Sequence, residues 1–258
     1  MQTLLILRHA VLQIIRQPVD VLRIFLLPMA ATFLLIKLTG LSFILSPVYL
    51  QIAINRGVMP WGRAALVMMV SILLFAWAAA AWHRFILLEK RPTKLWPSLP
   101  WRAYWRFVMQ SLWIAVLIFA VLMLASFLAG IILEFAAAIT KQPPGWISLV
   151  VTMIVVGPIL TVPLRLAVNL PRAAVDAPKT MASIWEGTAH EMPMLIGLLV
   201  VLTGLRMGSS YALGQLGLSA LSAEGFVAVA IVETLLAILS LSVITTLYGH
   251  YLEDRPLV

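Results

Sequence analysis

Long apolar stretches separated by short polar segments run along the chain. A helix of about 20 apolar residues crosses the roughly 30 Å hydrocarbon core of a bilayer. Stretches of about that length or longer cover residues 19–38, 63–86, 108–139, 146–170, 192–213 and 223–248. The pattern therefore predicts an all-α, polytopic membrane protein with six transmembrane helices.

Three shorter segments mix cationic, histidine or tryptophan side chains with apolar residues at near-helical spacing. They begin near Thr3, Leu99 and Pro178, and each precedes two of the apolar stretches. Such amphipathic helices lie in the interface between lipid headgroups and hydrocarbon. We therefore predict three helical hairpins, each preceded by an interfacial helix on the cytoplasmic side. This arrangement forms a single membrane domain with pseudo-repeats at about residues 1–92, 93–176 and 177–258.

The apolar stretch at residues 38–60 has two interpretations. Gly40, Pro47, Gly57 and Pro60 interrupt it, and both residue types punctuate helices. The stretch either extends the first span or lies in the outer interface, and the pattern leaves both open.

Composition excludes an ordinary soluble domain. The 258 residues are 62% hydrophobic and 11% charged, with a mean hydropathy of +1.04, whereas a soluble domain carries about 25% charged residues. If both termini are cytoplasmic, 13 of the 18 Lys and Arg residues lie on the cytoplasmic side. Cytoplasmic loops of membrane proteins carry this excess of cations. We therefore predict a bacterial inner-membrane protein with cytoplasmic N- and C-termini.

The tryptophans predict an aromatic belt at each membrane surface, where their amphipathic rings are favoured. The inner belt is expected to contain Trp82, Trp96, Trp101, Trp105 and Trp185, and the outer belt Trp61 and Trp146. Trp82 is therefore expected at the inner membrane surface.

The sequence lacks the residue patterns of common enzymes. It has no cysteine, which excludes disulfides and thiolate metal sites. The G-x-S-x-G, H-E-x-x-H, P-loop and G-x-G-x-x-G motifs do not occur. We therefore predict a non-enzymatic protein with no catalytic residue, no metal and no cofactor. The net charge of +8 is attributed to contact with anionic lipid, so nucleic acid is not an expected partner.

The cationic segment between the second and third spans is the strongest candidate for a binding surface. Each Lys or Arg near an anionic leaflet contributes about 1 kcal/mol to binding. The residues predicted to contact lipid headgroups are Arg84, Arg91, Lys94, Arg102, Arg106, Arg165 and Arg172. They predict a protein that binds or organises phospholipids, a partner membrane protein or a second copy of itself at the inner leaflet. The ordinary cationic bias of cytoplasmic loops is the alternative explanation.

A second set of ionisable residues is predicted at membrane depth, where such side chains are expensive and often functional. At about 1.5 Å per helical residue, Lys37, Arg206 and Glu233 fall in one layer of the outer half, with Glu134 at its rim. We predict a buried polar cluster of these residues. Structural pairing is the alternative to a role in proton or substrate coupling.

The fourth predicted span contains helix-breaking residues. Gly157, Pro158 and Pro163 lie within it, and each proline removes a backbone donor and frees a carbonyl one turn earlier. Such discontinuities line binding sites in transporters, but membrane helices also tolerate proline as a plain kink. A small transporter or channel-like protein is therefore the alternative function.

Three stretches resemble a known group of proteins. The stretches WHRFILLEKRP, LRLAVNLPRAAVD followed by SIWEGT, and the terminal LYGHYLEDRP resemble a family of uncharacterised bacterial inner-membrane proteins. The three-hairpin layout is also loosely similar to the membrane domain fused to some glycerophosphodiester phosphodiesterases. The resemblance implies a membrane module connected with lipid metabolism. It carries over no catalytic residue, because these 258 residues include no soluble phosphodiesterase domain.

Overall fold

The computed structural model describes residues 2–95, 97–140, 161–177 and 181–257, and these residues form only helices, turns and loops. The helices are α1 (Gln2–Ile15), α2 (Pro18–Leu38), α3 (Pro47–Asn55), α4 (Trp61–Leu88), α5 (Trp101–Thr140), α6 (residues 161–167), α7 (Leu170–Val175), α8 (Met181–Gly187), α9 (Met192–Gln215) and α10 (Ala223–Glu253). Short 3₁₀ helices at Ser42–Leu45 and Ala189–Glu191 precede α3 and α9. The all-α prediction is therefore confirmed for the described residues.

Five helices in the described part of the chain are long and apolar enough to cross a membrane. They are α2, α4, α9, α10 and the part of α5 at Trp101–Phe135. The fourth predicted span, residues 146–170, lies mostly outside the described residues, as do Gly157 and Pro158. The five helices indicate a multi-pass membrane protein, and the number of six spans stays a prediction.

Pro163 does not interrupt the described helix, so of the two alternatives at this proline the break is absent and the plain kink stays a prediction. α6 is helical on both sides of Pro163 and ends at a turn formed by Val168 and Asn169. Pro171 lies in the first turn of α7, directly after this turn. Its ring would clash with the carbonyl four residues earlier in a continuous helix, so the break falls before Pro171.

Helices α4 and α10 form the centre of the fold. α4 packs against α2, α5, α7 and α10, and α10 also packs against α1 and α9. The alanines within residues 76–81 are buried in α4, beside the fully buried Trp82 and His83. Side chains as small as alanine let neighbouring helices approach closely. This packing fixes the last turns of α4, which lead to the cavities described below.

The first predicted interfacial helix is part of the bundle. α1 packs against α9 and α10, and Ile6 and Ala10 are completely buried there. Leu4, Leu5 and Ile15 lie on the exposed part of α1. One face of the amphipathic helix therefore contacts protein. The sequence pattern alone could not show whether this face contacts protein or lipid.

The second predicted interfacial helix, at residues 99–107, is not a separate element. α5 begins at Trp101 and continues without interruption to Thr140. The prediction was wrong because no proline follows Pro100 within this helix, so nothing separates the amphipathic turns from the span. The third interfacial segment is represented by the short α8 and the 3₁₀ helix Ala189–Glu191.

Both ends of the chain lie at the same end of the bundle. Ser242 Oγ of α10 donates to the Ala10 carbonyl of α1 at 3.0 Å, and Arg255 Nη2 donates to the Leu87 carbonyl of α4 at 2.8 Å. We call this end, with residues 89–95, residues 97–100 and α7, the terminal end. The opposite end, which includes residues 39–60 and the α9–α10 connection, is the far end.

The stretch at residues 38–60 does not cross the membrane as one helix. It contains the 3₁₀ helix Ser42–Leu45 and the 9-residue α3. A helix of that length is about 14 Å long, roughly half the hydrocarbon thickness. The stretch therefore lies at the far end.

A tight contact fixes the start of α10 at the far end. Ser222 Oγ accepts a hydrogen bond from the Gly225 N–H at 3.1 Å, which caps the helix. A Cβ at Gly225 would lie 2.1 Å from the Ser219 carbonyl oxygen. Glycine is therefore required where the α9–α10 connection passes the first turn of α10.

Candidate headgroup-binding site

A cationic cavity lies at the terminal end, between α2, the end of α4, residues 90–93 and residues 97–99. Its volume is about 250 Å³, and it is lined by Arg84, Lys90 and Arg91 together with the hydroxyl residues Thr93 and Ser98. Among the described residues, none that lines it is acidic. Guanidinium, ammonium and hydroxyl groups are donors that suit phosphate oxygens. We call this space the basic cavity.

The loop formed by residues 89–95 and 97–100 is held in place by local sequence features. Glu89 follows α4 in the left-handed conformation, with a φ of 54°, which ends the helix. Three prolines between residues 92 and 100 keep the loop out of a helix. Arg23 of α2 donates to the Pro92 carbonyl at 3.2 Å and pairs with Asp20 at 3.4 Å. These contacts fasten the loop to α2 and so position Arg91 at the cavity.

Two of the cations predicted to contact lipid cap helix α7. Arg84 Nη1 donates to the Ala174 carbonyl at 2.8 Å, and Arg106 Nε donates to the Ala173 carbonyl at 3.1 Å. Arg106 also pairs with Asp176. The carbonyls at a helix C-terminus carry a partial negative charge that cations stabilise. Arg84 therefore both caps α7 and lines the basic cavity, whereas Arg106 is engaged by α7 and Asp176.

Arg165 lies inside the fold rather than at the membrane surface as predicted. It is 7% exposed, its Nε donates to Thr188 Oγ1 at 3.1 Å, and its Nη2 donates to the Trp185 carbonyl. Its guanidinium carbon lies 3.6 Å from the centre of the Trp185 ring. Arg165 thus joins α6 to α8 because backbone and aromatic groups satisfy its charge.

The remaining predicted cations differ in exposure. Arg91, Lys94 and Arg102 are exposed, and Arg172 is partly buried. Trp101, beside Arg102, is 65% exposed. Arg91, Lys94 and Arg102 are therefore accessible at the terminal end, and their contact with headgroups stays a prediction.

A larger cavity lies beside the basic cavity and shares Phe85 and Arg91 with it. Its volume is about 630 Å³, and α1, the ends of α4 and α10, and the C-terminal tail form its walls. Its polar lining residues are Gln17, Glu89, Arg91, Thr246, His250 and Arg255, together with His9, Gln13 and Thr245. We call it the terminal cavity. Sequence reasoning missed it, and the one available signal was the Glu-x-Arg-Pro pattern at residues 89–92 and 253–256.

Arg255 attaches the C-terminal tail to α4. Its Nη2 and Nη1 donate to the carbonyls of Leu87 and Ile86 at 2.8 and 3.4 Å, and its Nε pairs with Glu253 at 2.8 Å. The last carbonyls of a helix lack partners within the helix. Arg255 supplies donors for them and thereby brings the two Glu-x-Arg-Pro segments together at the terminal cavity.

Two of the four residues in the predicted polar cluster lie together. Arg206 Nη2 and Glu233 Oε2 form an ion pair at 3.0 Å, with side chains 68% and 27% exposed. Lys37 Nζ instead lies 5.1 Å from the centre of the Phe226 ring, and Glu134 is exposed. Phe226 precedes Glu233 by about 10 Å along α10, which explains why Lys37 does not join the pair. The predicted buried cluster is therefore a single, partly exposed ion pair.

His83 belongs to the core and links α4 to α10. The residue is completely buried, and its Nδ1 lies 2.8 Å from Thr245 Oγ1. Since Thr245 Oγ1 donates to the Leu241 carbonyl at 2.7 Å, the His83 Nδ1–H donates to Thr245. In the part of the chain that the structure describes, no group of three or more His, Asp or Glu residues could hold a metal ion.

Comparison with known proteins adds no relatives: no family model, no curated protein and no solved structure matches the chain.

Proposed function

We propose that this is a non-enzymatic inner-membrane protein that binds anionic phospholipid headgroups at its terminal end. In this proposal the chain crosses the membrane six times, and both termini and the basic cavity face the cytoplasm. The concentration of cations at the terminal end supports this orientation, because cytoplasmic loops carry a cationic excess. The resemblance to inner-membrane proteins, and loosely to a membrane domain fused to phosphodiesterases of lipid metabolism, supports a function connected with lipids.

The charge of the basic cavity is the observation that carries the proposal. Arg84, Lys90 and Arg91 line it with two hydroxyl residues, and the part of the chain that the structure describes contributes no acidic residue to its lining. A lipid phosphate accepts hydrogen bonds from such donors, and guanidinium groups match its oxygens particularly well. Anionic lipids of the cytoplasmic leaflet attract cations placed at the membrane surface.

Aromatic residues beside the basic cavity support a position at the headgroup layer. Trp101 and Trp105 begin α5, are 65% and 36% exposed, and pack edge to face with ring centres 5.3 Å apart. Exposed Arg102 lies between them in sequence. Tryptophan favours the interface between hydrocarbon and water, so these residues suit a helix that enters the membrane at this level.

Transport is a second candidate function, and the Arg206–Glu233 ion pair favours it. The pair lines a cavity of about 290 Å³ with Thr203 and Ser240. Glu233 also lines a cavity of about 580 Å³ that extends towards the far end. Paired ionisable groups at membrane depth are typical of ion or substrate pathways.

Removing two cations of the basic cavity tests lipid binding. In nanodiscs of phosphatidylcholine with a minority of phosphatidylglycerol, we expect the wild-type protein to bind phosphatidylglycerol preferentially. Lys90→Gln/Arg91→Gln should weaken this binding by about 2 kcal/mol, at about 1 kcal/mol per cation, which is roughly a thirtyfold loss of affinity. Native mass spectrometry of the bound lipids measures the change.

The matched control removes two cations at the far end. Arg56 and Arg63 are exposed there, and Arg56→Gln/Arg63→Gln should bind phosphatidylglycerol as the wild-type protein does. Higher ionic strength should weaken binding by the wild-type protein, because salt screens exposed charges. An equal loss in both double variants would show that net charge attracts the lipid and would contradict the proposal.

A further inference from the structure

The terminal cavity differs chemically from the basic cavity. Its volume of about 630 Å³ falls in the range of roughly 300–1,000 Å³ typical of small-molecule sites. Glu89 and Arg91 line it with opposite charges, and Arg255 is paired with Glu253. The charges at the terminal cavity therefore balance, whereas those lining the basic cavity are all cationic.

Unused hydrogen-bond acceptors line the terminal cavity. Gln17 Oε1 and Thr246 Oγ1 are buried atoms with no hydrogen-bond partner among the described residues, and Thr246 as a whole is 4% exposed. Buried polar atoms in folded proteins nearly always have a partner. These two atoms therefore point to a ligand, or to water, in the cavity.

His250 adds a third acceptor. Its Nδ1 lies 3.0 Å from the Arg255 carbonyl oxygen, which can only accept, so Nδ1 carries the hydrogen. In the neutral ring, Nε2 is then an acceptor. These three acceptors and the Glu89 carboxylate suit a positively charged group with several N–H donors, and a primary ammonium has this chemistry.

We propose that the terminal cavity binds the primary ammonium of a zwitterionic aminophospholipid, with the lipid phosphate on Arg91. Arg91 lines both cavities, and a short ethylene linker separates ammonium from phosphate in such a headgroup. Phe85, Leu87 and Leu257 supply apolar lining for the less polar part of the lipid. The inference deepens the proposed function and rests on it, since it takes the terminal end to lie at the headgroup layer.

Phosphatidylethanolamine and phosphatidylcholine test this inference, because they differ only in methylation of the ammonium. In nanodiscs that contain both, the wild-type protein should bind phosphatidylethanolamine roughly tenfold more tightly, because the methylated ammonium has no N–H to donate. Glu89→Gln should abolish most of this preference, whereas Glu224→Gln, at an exposed position of the far end, should keep it. Native mass spectrometry of the bound lipids gives the ratio.

Thr246→Val separates ligand binding from a structural role. It removes a buried hydroxyl that has no partner in the described part of the chain, so the thermal unfolding midpoint of the protein in phosphatidylcholine should stay the same or rise. The preference for phosphatidylethanolamine should fall. A lower unfolding midpoint with an unchanged lipid preference would assign Thr246 to the fold and contradict the inference.

The outcomes distinguish the inference from the proposed function. Equal binding of phosphatidylethanolamine and phosphatidylcholine by the wild-type protein overturns the inference, whatever the result with phosphatidylglycerol. If the wild-type protein prefers phosphatidylethanolamine but shows no preference for phosphatidylglycerol, only the proposed function of the basic cavity is overturned. Water-soluble glycerophosphoethanolamine should not displace the bound lipid. Efficient displacement would show that the ligand of the cavity is a soluble amine and would overturn the inference that it is a lipid.

Discussion

Replacing Trp82 with alanine is expected to lower the free energy of unfolding by about 3–5 kcal/mol, as for other large side chains in close-packed cores. Trp82 is completely buried in α4, and its ring centre lies 5.8 Å from the ring centres of Phe25 on α2 and of Phe85. In a membrane the helices gain little from leaving lipid, so their association depends on such packing. Reversible unfolding in detergent micelles, followed by circular dichroism, measures the loss.

Trp113→Ala is the matched control for this prediction. Trp113 is 67% exposed on α5, so its removal leaves no cavity inside the protein. The free energy of unfolding should change by no more than about 0.5 kcal/mol, as for surface positions generally. Equal losses at Trp82 and Trp113 would contradict the central position of α4 in the fold.

Replacing Arg165 with methionine is expected to lower the free energy of unfolding by about 2 kcal/mol. The change removes the hydrogen bonds to Thr188 and Trp185 and the stacking on the Trp185 ring. Hydrogen bonds from a charged donor contribute roughly 1.5–3 kcal/mol each, and relief from burying the guanidinium offsets part of this loss. Phosphatidylglycerol binding should stay as in the wild-type protein, because Arg165 is not accessible to lipid headgroups.

Arg102→Met is the control for Arg165, because Arg102 is exposed at the terminal end. This variant should keep the stability of the wild-type protein and bind phosphatidylglycerol more weakly. If Arg165→Met weakens phosphatidylglycerol binding without lowering the free energy of unfolding, Arg165 contacts lipid headgroups. That result would contradict the burial of its side chain.

Membrane-spanning helices could be predicted well because length and hydropathy constrain them strongly. The ends of α2, α4, α9 and α10 fall close to the predicted boundaries. The buried side of each helix could not be predicted, since lipid-facing and protein-facing sides are both apolar. Trp82 shows this: its sequence position suited an aromatic belt, yet it is fully buried, whereas Trp101 at a similar boundary is 65% exposed.

The candidate site was only partly predictable for a related reason. A local run of cations identified Arg84 and Arg91, which line the basic cavity. The sequence did not show that Arg165, unlike these two residues, is buried, because its partners come close only when α6 and α8 pack. The terminal cavity combines Gln17 with Thr246, which come from opposite ends of the chain, so only the repeated Glu-x-Arg-Pro pattern indicated that these parts of the chain meet.

Single-cysteine labelling tests the central claim most directly, namely that the chain spans the membrane with its terminal end in the cytoplasm. The protein has no cysteine, so Lys94→Cys at the terminal end and Arg56→Cys at the far end each introduce one thiol, and both positions are exposed. With a membrane-impermeant maleimide on intact spheroplasts, Arg56→Cys should react, and Lys94→Cys should react only in inverted membrane vesicles. Reaction of Lys94→Cys in intact spheroplasts, or of both cysteines from the same side, would contradict the account.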